Sequence, residues 1–336
     1  MTAHRRLTTT RRAAPRPPQR GAALLVALVL LTVVATLSAS MVWQQWRAVQ
    51  VEAAERSRTQ SAWILMGALD WARLIVREHK SNYTSLNDTW AQPLAEARLS
   101  TFLAADRDNN LDSGPEAFLS GRIEDAQSRY NLRNLMADPK LADPKLAAAE
   151  QKVLERLCQT AGLATSVAEQ LAQGLRAAWT ASATSAGTDA QAPLEPKRIE
   201  DLAWLGIDAS SLAQLQAWVV LLPAPAPVNL NTAAREVLAA VIEGIDLGSA
   251  DRLVQARLRS PFQSLEQAES VLQLPTGKKL DGARVTVKST FFEVHGRLRL
   301  DDRVLEETSL VHKLSATEVV TIRSVRVASV LPGTGG

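Results

Sequence analysis

From Gly21 to Trp46 the chain carries no charged residue and no proline. Within this run Ala22 to Val42 is apolar apart from scattered Ser and Thr. At roughly 1.5 Å per residue, a helix of that length covers about the 30 Å of a bilayer core. Six arginines precede it (Arg5, Arg6, Arg11, Arg12, Arg16 and Arg20), with no acid among them. A basic flank on one side predicts that the arginines stay in the cytoplasm. Trp43 and Trp46 stand at the far end, where an aromatic belt would meet the other headgroups.

Several fates of this segment are open from the residues alone. A secretory signal would be cut at the small residues Ser38-Ala39-Ser40, although its apolar region would exceed the usual length. A plain anchor helix is a second reading. A twin-arginine signal at Arg11-Arg12 is a third, weakened by the Ala-Ala-Pro-Arg that follows. The fourth is a type IV prepilin-like signal: a basic leader ending in Arg20-Gly21, cleavage between Gly21 and Ala22, and a helix that stays in the product. The next stretch favours the fourth. From Trp43 to Glu78 there is no proline, and Gly67 is the only glycine. Trp63, Met66, Leu69, Leu74 and Val76 fall at roughly helical spacing, with Glu52, Glu55, Arg56 and Arg58 between other positions. One long helix is predicted, half in lipid and half amphipathic. Most prepilin-like chains carry a glutamate five residues after the cleavage glycine; here that position is Val26.

Charge and motif content narrow the function classes. The net charge is +3, from 38 basic and 35 acidic residues. Removing the six leader arginines leaves 32 against 35, a balance of −3. A nucleic-acid binder would be expected to keep a basic surface. The single cysteine, Cys158, cannot form an internal disulfide. His4, His79, His295 and His312 are far apart, and neither H-E-x-x-H nor C-x-x-C occurs, so no zinc site has sequence support. There is no G-x-S-x-G, and Gly277-Lys278 has Leu272 where a P-loop needs glycine. The pair Glu306-Glu307 reads as the solvated face of a strand. An enzyme is therefore not expected.

Further along, "ADRDNNLDSGPE" places Asp106, Asp108, Asn110 and Asp112 at alternating positions, a spacing of oxygens that suits calcium or simply a solvated turn. It is not an EF-hand, since Leu111 and Ala117 replace the required Gly and Glu. Residues 118–135 read as a strand, a turn-prone middle and a short second element. Leu146 to Trp179 is helical in pattern, punctuated by Gly162 and Gly174. "PAPAP" at 223–227 reads as a stiff extended connector. Thr232 is a candidate cap for the helix that follows. The turn around Glu243-Gly244-Ile245-Asp246 resembles a helix-hairpin-helix unit, but Glu243, Asp246 and Asp251 would repel phosphate. From Ala283 the period changes to two, through Val285, Val287, Val294, Leu298 and Leu300, with Asp301-Asp302 as a hairpin turn and a last strand near "EVVTIRSVRVAS".

Taken together, Arg20-Gly21, Val26, "DTWAQPL" (88–94), "GRIEDAQSRYNLRNL" (121–135) and "VNLNTAAREVL" (228–238) resemble the minor pseudopilins of the type II secretion system, K class, over most of residues 18–315. The resemblance implies an α+β fold. A leader (1–21) and a transmembrane helix (22–45) come first, then a pilin-like helix and first strands (46–130). An inserted all-helical domain (131–281) and C-terminal strands of an antiparallel sheet (282–330) complete it. It implies an inner-membrane chain whose bulk is periplasmic, at the tip of a short pseudopilus. The implied partners are I- and J-class minor pseudopilins, other pseudopilins, the prepilin peptidase, the inner-membrane secretion platform and lipid, with no nucleic acid. Family members carry calcium near the sheet and insert. The Asp106–Asp112 loop is the first candidate for its ligands here, and Glu124 and Asp125 the second. The rival reading is a membrane-anchored helix-hairpin-helix protein for DNA binding or uptake.

Overall fold

The computed structural model describes residues 20–99, 117–136, 144–183, 193–272, 274, 278–300 and 303–330. The chain divides into two compact units, Met1–Gln60 and Ser61–Gly336. A single helix, α1 (Arg20–Glu78), begins in the first and ends in the second, as the absence of proline and the scarcity of glycine predict.

In the first unit the side chains of α1 have no cover. Leu24, Leu28, Leu31 and Val34 are all exposed, Leu31 at 69%. Water would penalise a stripe of this size; lipid would not. Three hydroxyls of α1 are satisfied within the helix: those of Thr32, Thr36 and Ser40 donate to the carbonyls of Val29, Val33 and Leu37 at 2.8–2.9 Å. That is what a helix in hydrocarbon requires. The rings of Trp43 and Trp46 lie at a tilt of 32° with centroids 5.3 Å apart.

The second unit is built on a five-stranded antiparallel sheet in the order β1-β2-β7-β8-β9. Its strands are β1 (Leu94–Arg98), β2 (Ala117–Asp125), β7 (Phe291–Leu300), β8 (Arg303–Lys313) and β9 (Val319–Val330). The period-two pattern was legible in β7 to β9. Leu300 pairs with Arg303, so the hairpin expected at Asp301-Asp302 joins β7 to β8, although those two residues lie outside the described ones. Leu65, Ala72 and Val76 of α1 pack on one face, against Leu119, Phe292, Val294, Leu298 and Val311. Gly121 and Gly296 face each other across β2 and β7. A methyl group on Gly296 would stand 3.2 Å from Leu65 Cδ2, so the glycine lets the helix approach the sheet.

Two side chains fasten the end of α1. Arg73 donates to the Val319 carbonyl of β9, from Nη2 at 2.6 Å and Nε at 3.1 Å. Lys313 donates from Nζ to the Val76 carbonyl at 2.8 Å and also to that of His79. A cation on the last carbonyls satisfies acceptors that the helix cannot, and it complements the helix dipole. Lys313→Met is expected to cost about 1 kcal/mol. It should also speed hydrogen exchange at the His79 amide, which donates to Ile75 at 3.3 Å. Unchanged exchange there would contradict the capping role.

Between β2 and β7 lie the helices expected there. They are α2 (Pro144–Thr160), α3 (Thr165–Ala183), α4 (Ala209–Leu215), α5 (Arg235–Val241), α6 (Leu247–Arg259) and α7 (Leu265–Leu272). Leu154, Leu157, Leu171, Leu175, Val237 and Leu253 are fully buried in one continuous core. Two short parallel ladders were not foreseen. In one, β3 (Tyr130–Asn131) pairs with β4 (Val219–Val220); in the other, β5 (Val228–Asn229) pairs with β6 (Val285–Thr286).

Three local readings need correction. Gly162 does break the helices, at φ +73°, but Gly174 lies inside α3, where its missing Cβ leaves room for Leu205. Thr232 does not cap α5; Ala234 stands at the cap with no side-chain bond, and the Thr232 hydroxyl is spent elsewhere. Glu307 is buried rather than solvated, ion-paired with Arg326 and hydrogen-bonded by Ser309.

Candidate functional site

Residues with a role in an assembling, non-catalytic chain are sought at the cleavage position, at the joint between sheet and insert, and on open apolar surface. Gly21 and Ala22 lie in the first turns of α1 and are exposed. A Cβ placed on Gly21 would meet nothing within 4 Å. Val26 follows on the same helix, 58% exposed.

Glu124 and Asp125 do not form one site. They are consecutive in β2, so their side chains go to opposite faces. Glu124 is half-exposed. His295 beside it and the Arg122 guanidinium hold its carboxyl down at about 2, against the effect of burial. Asp125 is buried at the end of the strand. Its Oδ1 accepts from the Gln127 amide at 2.8 Å, while Oδ2 accepts from Asn229 Nδ2 at 2.9 Å and from the Thr232 and Ser289 hydroxyls at 2.6 Å each. Burial pushes its carboxyl up, and the Ser289, Thr232 and Asn229 donors pull it back. The donors on Asp125 are thus protein groups from the turn after β2, the insert and the segment before β7. Asp106, Asp108, Asn110 and Asp112 lie outside the described residues.

This joint is wider than one carboxylate. Asn229 also donates to the Thr84 carbonyl at 3.1 Å, and the Ser289 amide donates to the Thr84 hydroxyl at 3.0 Å. Gln127 accepts from the Thr290 amide and donates to the Pro227 carbonyl. Asn134 and Ala226 exchange two hydrogen bonds at 3.0 Å, and Asn131 donates to the Ala224 carbonyl. Amide side chains from "GRIEDAQSRYNLRNL" therefore hold the "PAPAP" connector, whose prolines have no N–H of their own to offer. Two of the quoted motifs meet in space here. Their proximity in the fold was not readable from either motif alone.

The helix-hairpin-helix-like turn has the shape expected, with Gly244 at φ +87° between α5 and α6. The N-terminus of α6 is occupied by its own residue: Asp246 Oδ1 accepts from the Ser249 amide at 2.7 Å. A phosphate would have to displace a carboxylate there.

Apolar surface is open along the last part of α1. A groove of about 870 Å³ runs between α1, β1 and β2, lined by Trp63, Ala68, Trp71, Ile75, Leu94 and Leu119. Trp63 is 67% and Trp71 50% exposed.

Two family models, both described as "Type II secretion system (T2SS), protein K", match residues 128–224 and 228–288. The type II secretion system protein K of Pseudomonas aeruginosa is 28% identical, the alignment covering 92% of this chain and 94% of that protein. The protein K of Dickeya chrysanthemi is 31% identical over 34% of each chain. Among solved structures, a chain of the GspK-GspI-GspJ complex from enterotoxigenic Escherichia coli has the same fold. Its TM-score is 0.58 at 18% identity, covering 82% of this chain and 99% of that one. The matched segments contain Asn131, Asn134 and Asn229 of the joint between sheet and insert, and the α+β architecture agrees with the resemblance read from the sequence. The family models, the Pseudomonas aeruginosa relative along 92% of the chain and the shared fold all make this chain similar to type II secretion system protein K, the K-class minor pseudopilins.

Proposed function

We propose that a prepilin peptidase cuts this chain after Gly21, and that the helix from Ala22 then holds it in the inner membrane with its bulk in the periplasm. There it joins I- and J-class minor pseudopilins to initiate and cap the pseudopilus, and it has no catalytic activity of its own. The observation that carries this reading is α1 itself: one helix contains the uncovered apolar stretch and continues into the core of the sheet. Membrane attachment and a folded head are thereby made one element. A chain cut at Ser38-Ala39-Ser40 would lose the first and keep only the second.

Two further features support a terminal position. In a growing fibre the glutamate five residues into the mature helix is thought to neutralise the terminal amine of a neighbour. Val26 offers no charge for that pairing, and an unpaired charge in lipid is costly. A first subunit, with nothing above it, has no such pair to make. The large helical insert adds bulk that obstructs any subunit approaching from above. Partnership is supported by a chain of the same fold having been solved within the GspK-GspI-GspJ complex.

Co-expression tests the partnership. The full chain, extracted in detergent with the I- and J-class subunits of the same organism, is expected to elute as one complex containing all three. Elution of the chain free of both partners would overturn the proposal.

A further inference from the structure

We propose that Glu124, Glu293 and His295 form a binding site for a transition-metal ion of the Zn²⁺ type on the face of the sheet opposite α1. The ligands come from neighbouring strands. The register of β2 against β7 sets Glu124 opposite Glu293 and Arg122 opposite His295, so all four side chains emerge on one face. One ligand atom from each of Glu124, Glu293 and His295 lies within 4.8 Å of the others. His295 Nε2 stands 3.5 Å from Glu124 Oε2 and 4.0 Å from Glu293 Oε2. Bonds of about 2.0–2.1 Å in a tetrahedral site put ligand atoms roughly 3.3–3.4 Å apart. Small side-chain rotations therefore close these three around one ion.

The imidazole is set up as a ligand. Its Nδ1 lies 3.2 Å from the Thr308 hydroxyl of β8, a partner that can hold the proton on that nitrogen. Its Nε2 is screened from solvent and has no hydrogen-bond partner. With the proton on Nδ1, the Nε2 lone pair would face the two carboxylates, and a cation between them would complete that arrangement. Outer groups hold the carboxylates as they commonly do in metal sites: Arg122 Nε donates to Glu124 Oε1 at 2.6 Å and Arg129 Nη2 to Glu293 Oε2 at 2.5 Å. Those guanidinium groups also decide the kind of ion. They neutralise the two carboxylates, which leaves little for calcium, a cation that needs six to eight oxygens. An ion that takes imidazole nitrogen is favoured instead. The Glu124 side chain is 44% exposed, which leaves a path for entry.

The test is titration of ZnCl₂ into the full, chelator-stripped chain in detergent micelles. One site is expected that His295→Gln weakens at least tenfold. Thr308→Val keeps all three ligands and releases the imidazole, and it is expected to weaken binding about tenfold. Titration with CaCl₂ is expected to be the same for wild type and His295→Gln. The proposal is overturned if the wild-type chain binds no Zn²⁺, or if His295→Gln binds it equally with a wild-type circular dichroism spectrum. Should that variant misfold, the ring ¹⁵N signal of His295 in the wild-type chain decides. A shift on adding one equivalent of Zn²⁺ supports the site, and an unmoved signal overturns it.

Discussion

Replacing Asp125 with alanine is expected to destabilise the second unit by about 3 kcal/mol or more. The carboxylate is buried and accepts from Asn229, Thr232, Ser289 and the Gln127 amide. Alanine would strand those donors. A buried donor without a partner costs about 1–3 kcal/mol, and the costs of neighbouring donors do not simply add. Asn229 retains bonds to Thr84 and Ser289, which softens its loss. Thr232 and Ser289 have no such reserve at the same oxygen. Asparagine is expected to be little better, because its amide would present a donor to donors. The measurement is thermal melting of the full chain in detergent, where the effect corresponds to a fall of roughly 6 °C or more. The amides of Thr84 and Ser289 should also lose exchange protection, because the joint holds the segment before β7. A melting point within a degree of wild type would refute the assignment of Asp125 as the joint.

Gly21→Trp is expected to leave the chain uncut, with its arginine-rich leader attached. A Cβ at Gly21 meets nothing within 4 Å, so the fold has no objection to a larger side chain there. A loss of processing would therefore report what the peptidase accepts and not a folding defect. The retained leader would keep its six arginines at the cytoplasmic face and carry them with the helix into any assembly. Leaving those charges next to the lipid-embedded ends of neighbouring subunits is costly, so secretion should fail along with cleavage. A shortened product of normal size from this variant would contradict cleavage after Gly21.

Long-period features of this fold were legible in the sequence because each is set locally. The helix α1 follows from a long stretch without proline, whose first part, Gly21 to Trp46, also lacks charge. The three C-terminal strands follow from alternation such as Val294, Leu298 and Leu300, and the bundle from apolar spacing in α2 and α3. What could not be read depends on contacts distant along the chain. Asp125 meets Thr232 and Ser289 across separations of 107 and 164 positions, and the Ser289 amide meets Thr84 across 205. Nothing in "GRIEDAQ" marks Asp125 as buried and Glu124 as half-exposed except the alternation of a strand, once the strand is known. Glu307 was misread for the same reason: β9 supplies Arg326 to cover it. The histidine spacing gave no sequence support for a zinc site, since a search for local spacings does not find Glu124, Glu293 and His295, which come together only because β2 and β7 lie side by side. Thr232 has the residue type of a cap but stands two positions before Ala234, where the cap lies. It was drawn instead into the more deeply buried bond with Asp125.

The mature amino terminus is the point on which the account turns. Intact-mass and amino-terminal fragment spectra of the chain, purified from membranes of cells that contain the secretion system, are expected to begin at Ala22 with the whole apolar helix retained. A chain beginning near Met41, or one still carrying Met1, would contradict it.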